Sequence, residues 1–369
     1  MGEYIMKQNK IFGFAASLIL FVLILTAGCT EQAGEPAQNE VEPEKTAPPK
    51  VEPQEQETEK TVPAKVEPQE QKQPVELALK FIPEDSTTYK VTTDADKSLI
   101  WEGTDPNKPK GFTGGHTGRK IEITFTQQIQ NTDDKGIAVA KITIKQLKYL
   151  IKVKNEITMD FDSSRQQDRQ NPLSKLIGQS YTIQMTAFGQ VSKLIDANDA
   201  RAAVRGDSPA DKMAANLLSP AAITERHTIP ALPDSDKNQL RTGDKWSSIQ
   251  NFSFDMMGSK SYEKIYTLKE IKDVENRRIA IARMEAVPSA ENARDLYKEQ
   301  SASFFANMSD NTETYTGELK LDLTNGKIEE CREKLTTEWL IVDPSPKENE
   351  QPAALKMAAV RSYSIEKMD

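Results

Sequence analysis

Histidine and cysteine are scarce, with two of each among the 369 residues. His116 and His227 lie far apart in the chain, so they do not have the spacing of a metal site built on one helix or loop. The two cysteines, Cys29 and Cys331, allow at most one disulfide. The disulfide framework that stabilises many small secreted domains is therefore excluded.

Catalytic and metal-binding motifs are also missing. No Gly-x-Ser-x-Gly nucleophile turn occurs. Residues 234–238 begin like a calcium loop, but Gln239 stands where that loop needs glycine. Cys331 lies among glutamates, which raise a thiol pKa and make a poor nucleophile. We therefore predict no catalytic residue, no metal and no cofactor, and a protein that is not an enzyme.

The remaining polar candidates have ordinary interpretations. Asp160 and Asp162 flank Phe161 on a predicted strand and are expected to lie on a solvated face. The glycine-rich residues 111–120, with His116 among them, could bind an anion through backbone amides, but a strand follows them where phosphate loops precede a helix. A mobile hairpin loop is the favoured interpretation. His227 is expected at a helix C-terminus, where the helix dipole favours positive charge.

Positive charge is not in excess anywhere in the folded part. The formal net charge is −8, and about −7 of it falls within residues 30–76. The remainder of the mature chain is therefore close to neutral, at about −2. Without a basic excess we predict no nucleic acid partner.

A single long apolar run is present, from Ile11 to Leu25, preceded by Lys7 and Lys10. Its length is that of a signal-peptide core and is short for a membrane span, which needs about 20 apolar residues. The run ends in Leu25-Thr26-Ala27-Gly28-Cys29.

This ending resembles the lipobox of bacterial lipoproteins. The resemblance implies that residues 1–28 are a signal peptide and that Cys29 becomes the lipid-bearing, palmitate-carrying first residue, so that the membrane is a partner through this lipid. Because Thr30 rather than Asp follows Cys29, the resemblance implies the outer membrane facing the periplasm if the source is Gram-negative. The alternative is an uncleaved N-terminal anchor.

Residues 29–76 are rich in Pro, Glu and Gln and contain no aromatic residue. A seven-residue segment, Lys-Val-Glu-Pro-Gln-Glu-Gln, occurs at 50–56 and again at 65–71. This composition cannot bury enough apolar surface to offset chain entropy. We predict a disordered tether that spaces the folded part from the bilayer, with cell-wall binding as the alternative.

The rest of the chain is predicted to be α+β and β-rich, with two similar antiparallel sheet units joined by a helical connector. Alternating apolar residues mark the strands, as at Ile121, Ile123 and Phe125. Turns at Gly189 and at Asn325-Gly326 indicate one hairpin in each unit. The predicted boundaries are 77–205 for the first unit, 206–240 for the connector and 241–369 for the second unit.

Helices are predicted where a capping residue precedes proline. Asn171, Ser208 and Ser219 each stand before a proline at the first helical position. A further helix is predicted from Ala290 to Phe305, with Leu296 facing its own sheet. In this interpretation helices cover the apolar face of each sheet.

The globular part resembles an uncharacterised family of secreted, β-rich bacterial proteins. The resemblance rests on residues 240–246, Leu-Arg-Thr-Gly-Asp-Lys-Trp, and on the Gly189 and Gly326 hairpins. It implies no known activity. The layered arrangement also loosely resembles periplasmic lipid carriers, an analogy at the level of the fold alone.

Two hypotheses for function follow. The first is a membrane-anchored cell-envelope lipoprotein with a non-catalytic structural or interaction role, whose partner is another envelope protein. The alternative is a module that binds a lipid or other apolar ligand between sheet and helices. The side chains that would suit such a pocket are Met159, Met185, Met256, Met257 and Phe188.

Overall fold

The computed structural model describes residues 73–102, 114–254, 259–289, 309–342 and 354–368. It is mostly β, with 61% strand and 15% helix. The strands are β1 Val75–Glu76, β2 Ser86–Glu102, β3 Gly115–Thr132, β4 Ala138–Val153, β5 Glu156–Asp162, β6 Ser180–Met185, β7 Val191–Asp196, β8 Gln239–Leu240, β9 Lys245–Ser253, β10 Ser259–Val274, β11 Arg277–Pro288, β12 Ser309–Asp322, β13 Lys327–Val342 and β14 Ala354–Met368.

Three short α-helices occur in the described part of the chain: α1 Asn198–Ala203, α2 Pro209–Leu217 and α3 Pro220–His227. The predicted caps are confirmed, because the side chains of Ser208 and Ser219 accept hydrogen bonds from backbone amides at the starts of α2 and α3. Asn171 likewise caps a 3-10 helix, Pro172–Leu176. Within these ranges, none of the helices is long and apolar enough to cross a membrane.

Twelve strands form one antiparallel sheet, in the order β7-β6-β4-β3-β2-β14-β13-β12-β11-β10-β9, with β5 also paired to β4. The last strand joins the two halves of the sheet, because β14 pairs with β2 along its length, from Met368 opposite Thr88 to Ala354 opposite Glu102. The strands therefore run as one meander outward from β2 and a second inward to β14.

The prediction of two separate α+β sheet units with covering helices is wrong. The finding that overturns it is the single sheet of 12 strands, in a mostly β structure with few helices. Alternation predicts that a strand exists, and a turn predicts which strand pairs with it in a hairpin. The pairing at the other edge of a strand depends on contacts between residues distant in sequence. The helix predicted at Ala290–Phe305 lies outside the described residues, and the domain boundaries stay a prediction.

The sheet is rolled up in its second half. Lys264 on β10 lies 3.1 Å from Glu333 on β13, although β11 and β12 stand between these strands. In a flat sheet, three strand spacings would separate them by about 14 Å. The contact therefore requires that β9–β14 curl around a common interior, with one inner face and one solvated outer face.

The first half has its inner face covered by the segment between β7 and β9. His227, at the end of α3, packs edge-on against Phe125 of β3 with ring centroids 4.5 Å apart. Further along, the indole N–H of Trp246 donates to the carbonyl of Ala231 at 3.1 Å. We call residues 198–240 the connector from here on, a longer segment than the predicted 206–240, because it joins the two halves and fills the interior at the end of the sheet where β2 begins.

The residues just after the predicted tether cross this same end of the sheet. Leu77 donates from its amide to Asn238, Leu79 to Ala187 and Lys80 to Gly326, each at 3.0 Å or less. Gly326 has φ +62°, and a Cβ there would lie 2.3 Å from the backbone nitrogen of Lys80. The hairpin glycine thus also permits the close approach of this segment, which holds three separate turns together.

Candidate functional site

Several polar side chains lie on the inner face of the sheet, among the apolar ones. Residues directly opposite one another on antiparallel strands share a face, so the register defines cross-strand rows. One row crosses six strands and consists of Phe161, Tyr149, Ile121, Thr93, Tyr363 and Glu333. Its members at Phe161, Tyr149, Ile121 and Glu333 are at most 8% exposed.

Glu333 is the centre of a buried network in the rolled half. Its Oε1 accepts from Lys264 Nζ at 3.1 Å and from the hydroxyl of Tyr266, and its Oε2 accepts from the hydroxyl of Tyr315 at 2.5 Å. Lys264 is 2% exposed. The carboxylate thus has three donors, and the buried ammonium has a counter-charge, which is the condition for burying an ion pair at tolerable cost.

A second carboxylate repeats the arrangement nearer the end of the roll. Glu313 Oε2 accepts from Lys260 Nζ at 2.6 Å and from the hydroxyl of Tyr262 at 2.8 Å. Lys260 also lies 5.3 Å from the ring centroid of Trp339, within the range of a cation–π contact. Tyr262 and Tyr315 meet edge-on and connect the two clusters through their rings.

Burial and the nearby carboxylates raise the pKa of the phenols in this interior. The pKa of Tyr315 is raised first by desolvation and then by the charge of Glu333. Desolvation also raises the pKa of Tyr262, with Glu313 adding to it. These hydroxyls therefore stay protonated and donate to carboxylates already committed to lysines, so the groups hold the roll closed and offer no free acid or base.

Cys331 lies in β13, two residues before Glu333 on the same face of the sheet, and is fully buried. Burial raises its pKa, and Glu333 raises it further. The prediction of a raised thiol pKa for Cys331 is confirmed, although the larger cause is desolvation rather than the neighbouring acids. A protonated, enclosed thiol is a poor nucleophile.

The first half contains a different polar cluster. Arg226 donates from Nη1 to the hydroxyl of Tyr181 at 3.0 Å and from Nη2 to the carbonyl of Leu217 at 2.8 Å. The hydroxyl of Tyr181 lies 2.6 Å from Nε2 of His227. Because Tyr181 accepts from the guanidinium, its own proton points to Nε2, and we assign the ring proton of His227 to Nδ1.

Desolvation and the adjacent Arg226 lower the pKa of His227 well below its ordinary value. His227 does end helix α3, but the expected favourable interaction of a charged imidazole with the helix dipole is wrong, because the ring is buried and neutral. The sequence predicts that His227 ends a helix, but it does not predict that this helix places the ring against Phe125 and Tyr181.

A cleft opens beside His227 at the end of the sheet where β2 begins. Its lining includes Leu79, Phe81, Tyr89, Met185, His227 and Ile365. Its volume is about 30 Å³, space for about two water molecules. A drug-sized or lipid ligand needs several hundred Å³, so this cleft is not a preformed pocket between sheet and helices.

Burial falls at the next cross-strand row toward the opposite end of the sheet. We call it the basic row, and its members are Met159, Ile151, Arg119, Ala95, Arg361 and Leu335. Leu335 is buried, Arg119 is exposed and the others are half-buried. Among the described residues, the connector therefore covers the inner face only as far as the row of Ile121, and the basic row lies just beyond this cover.

The other predicted residues are dispersed. Asp160 forms an ion pair with Arg165, whose Nη1 lies 3.0 Å from its Oδ2, and Asp162 accepts from Ser164 at 2.7 Å. His116 belongs to strand β3 and not to a loop, because Gly115 already pairs with Leu99, and its Nδ1 lies 2.9 Å from Asp96 Oδ1. These pairs lie toward solvent, as a solvated face implies.

The proposed pocket residues do not converge. Met159 lies opposite Ile151 near the end of β4, whereas Met185 lies opposite Ala138 at the start of the same strand. Phe188 is half-buried in the turn after β6. Cys29, Met256 and Met257 lie outside the described residues. Within the described ranges, no group of three or more His, Cys, Asp or Glu side chains could hold a metal ion.

Comparisons with known proteins provide little. No protein-family model and no curated protein matches the sequence. Among solved structures the chain is similar to lipovitellin, in a structure concerned with lipid-protein interactions, at 10% identity and a TM-score of 0.37, covering 79% of this chain and 26% of that one. It is also similar to Pseudomonas aeruginosa OpdL at 7% identity and a TM-score of 0.18, covering 77% of this chain and 99% of that one. Likenesses this low carry no argument about fold or function here.

Proposed function

We propose that the protein is an exported lipoprotein, held at a membrane by lipid on Cys29, whose folded part has a non-catalytic structural or interaction role in the cell envelope. The observation that carries the proposal is the position of Cys29 directly after the one long apolar run and the small residues Ala27 and Gly28. The tether at 29–76 then spaces the sheet from the bilayer, on the periplasmic side of the outer membrane if the source is Gram-negative.

The chemistry of the interior supports a non-catalytic role. In the described part of the chain, Glu333 and Glu313 are each bonded to a lysine and to tyrosine hydroxyls. The cleft beside the buried ring of His227 has a volume of about 30 Å³, and the thiol of Cys331 is fully buried. Groups committed to one another in this way stabilise a fold and do not transfer protons to a ligand.

The anchor is tested by replacing its acceptor. Cys29→Ser should release the protein from the membrane fraction and abolish incorporation of labelled fatty acid. The N-terminal peptide of the native protein should carry the mass of acyl chains and begin at residue 29. If Cys29→Ser remains with the membranes, the apolar run is an uncleaved span and the proposal fails.

The chain provides its own matched control. Cys331→Ser changes the other cysteine, whose sulfur is fully buried in β13. This variant should keep both the membrane association and the fatty acid label. Loss of label in Cys331→Ser instead of Cys29→Ser would identify a different site of modification.

A second candidate function is the binding of a lipid or other apolar ligand by the folded part. The observation that favours it is the basic row, where Met159 and Ile151 are half-buried beyond the cover of the connector. Native mass spectrometry of protein extracted from membranes tests it, because a bound lipid adds a non-covalent mass. Protein that never carries such a mass would exclude this role.

A further inference from the structure

We infer that the basic row binds the phosphate headgroup of an anionic phospholipid, held between Arg119 and Arg361. The inference rests on the second candidate function and adds to it a headgroup class and a site. Arg119 and Arg361 both lie directly opposite Ala95 on β2, one on β3 and the other on β14. All three therefore share the inner face, and the two arginine Cα atoms are about 10 Å apart.

The residue between the arginines leaves space for an anion. Ala95 contributes only a methyl group, so no long side chain of β2 stands between the two arginine positions. Arginine presents a planar fork of donors that matches phosphate oxygens, so a phosphate within reach of both side chains accepts charge-assisted hydrogen bonds from each. A lysine pair would provide charge without this geometry.

Charge on the inner face is complementary to a phosphate. In the described ranges neither arginine has a carboxylate partner: Arg361 donates from Nη2 to the carbonyl of Ser253 at 2.6 Å, and its guanidinium carbon lies 5.4 and 5.3 Å from the rings of Phe252 and Phe254. The acids of β2 nearest the row, Asp94 and Asp96, alternate onto the outer face.

In the described ranges the carboxylates within a single row of this surface are Glu333 and Glu313. Each is already paired with a lysine, Lys264 or Lys260, and accepts hydrogen bonds from tyrosine hydroxyls. They therefore neither repel an anion strongly nor offer Arg361 an unused partner. The positive charge of the row is left for a group from outside the described chain.

Apolar side chains continue from the arginines on the same face. Ile151 and Met159 extend the row across β4 and β5, and Leu99 pairs with Met357 toward the end of β2. All four are half-buried. An acyl chain leaving a headgroup at the arginines would lie against these side chains, which is why the occupant is an amphipathic anion and not free phosphate.

The experiment is native mass spectrometry of the full chain, extracted from membranes in detergent and supplied with equal amounts of phosphatidylglycerol and phosphatidylcholine. We expect a non-covalent adduct that favours phosphatidylglycerol about tenfold. The double variant Arg119→Gln, Arg361→Gln should bring this ratio to about one. The same spectra report the covalent lipid on Cys29, so failure of the anchor and failure of this site are distinguishable.

The matched control replaces two arginines on the outer face. Arg283 and Arg332 lie 3.8 and 2.9 Å from Glu318, and changing both to Gln removes the same charge without touching the inner face. This control should keep the preference for phosphatidylglycerol. A control that loses it, or an Arg119/Arg361 variant that keeps it, overturns the inference.

Chemical modification keeps the inference testable if the double variant does not fold. Phenylglyoxal should modify Arg119 and Arg361 in the delipidated native chain, and phosphatidylglycerol should protect both. Equal adducts of the two lipids would leave apolar binding intact but overturn the headgroup site. Absence of any adduct, with both arginines unreactive, would show that this face is not accessible and would overturn the inference.

Discussion

The two halves of the single sheet fill their interiors by different means. Around β2–β7 the filling comes from outside the sheet, as Leu218, Ile223 and Ile229 of the connector are buried against it. Around β9–β14 the described filling comes from the sheet itself, through aromatic rings and paired charges. Trp246 and Tyr266, stacked 5.4 Å apart, are one example.

The difference shows what a rolled sheet needs when few other elements enter it. Long side chains must reach across the interior, and tyrosine, lysine and glutamate reach furthest. Their polar ends must then meet one another, because an unpaired buried charge costs far more than an apolar group. The first half depends on the fit of the connector, whereas the second half depends on charge pairing. Variants in each half separate these two dependences.

The largest expected effect is in the rolled half. Glu333→Ala leaves the ammonium of Lys264 buried without its counter-charge, and we expect a loss of about 3–5 kcal/mol in the free energy of unfolding. Denaturant unfolding of the two proteins measures this difference. The double variant Glu333→Leu, Lys264→Met should recover most of the stability lost in Glu333→Ala, because neither charge then remains buried.

Glu330 is the control for this prediction. It is close to Glu333 on β13 but on the outer face, where Lys320 Nζ lies 2.6 Å away and the pair is partly solvated. Glu330→Ala should cost at most about 1 kcal/mol. Equal losses for the two alanine variants would show that charge pairing does not hold the roll together.

A smaller effect is expected where the connector meets the first half. Gly189, in the turn between β6 and β7, has φ +73°, and a Cβ there would lie 2.7 Å from the Cβ of Ile229. Gly189→Ala should cost about 1–3 kcal/mol from this overpacking, in addition to the strain of its backbone conformation. Thermal unfolding of the variant measures the sum.

Gly178→Ala isolates the strain alone. Its φ is +84°, and nothing lies within 4 Å of the added Cβ. This variant should cost about 1–2 kcal/mol. If Gly189→Ala is no worse than Gly178→Ala, then the connector does not press on this turn as the structure implies.

The effect that is smallest at neutral pH depends on pH and belongs to the first half. The pKa of His227 is lowered in the folded state, so the unfolded chain binds this proton first as the pH falls. Stability should therefore decline below about pH 6.5, by up to about 1.4 kcal/mol per pH unit from this group. The decline should stop once the pH passes below the lowered pKa of the folded state.

Unfolding free energies measured between about pH 7.5 and pH 5 test the His227 prediction. His227→Gln should flatten the decline, even though it lowers stability at neutral pH by disturbing Tyr181. His116→Gln is the control, because this exposed ring faces Asp96 on the outer surface and should leave the decline in place. A decline that persists in His227→Gln would assign the acid sensitivity to other groups.

Local features were predictable because they depend on residues close in sequence. The Asn325-Gly326 hairpin is confirmed between β12 and β13, and the Gly189 hairpin is confirmed between β6 and β7. Ser208 and Ser219 cap their helices as expected. Turn chemistry and capping act over a few residues, so no tertiary contact is needed to recognise them.

The candidate site was not predictable, because it depends on residues that lie far apart in sequence. Lys264 and Glu333 each lie in an alternating strand where a charged residue normally marks the solvated face, and nothing local indicates that both face inward. Arg119 and Arg361 become members of one row only through Ala95, which is far from both in sequence. A signal was present in the phase of alternation, since Arg119 is in phase with Ile121 and Ile123, but it could not name a partner.

The sequence by itself determined the features that depend on composition and short-range order: the apolar run that ends at Cys29, the charged, proline-rich composition of residues 29–76, the strands, the caps and the glycine turns. Only the tertiary structure decided that β14 joins β2 in one sheet, that the second half rolls around Glu333, and that the connector stops short of the basic row. Pairing across a sheet and its curvature arise from contacts between residues hundreds of positions apart, whose free energy no local pattern records.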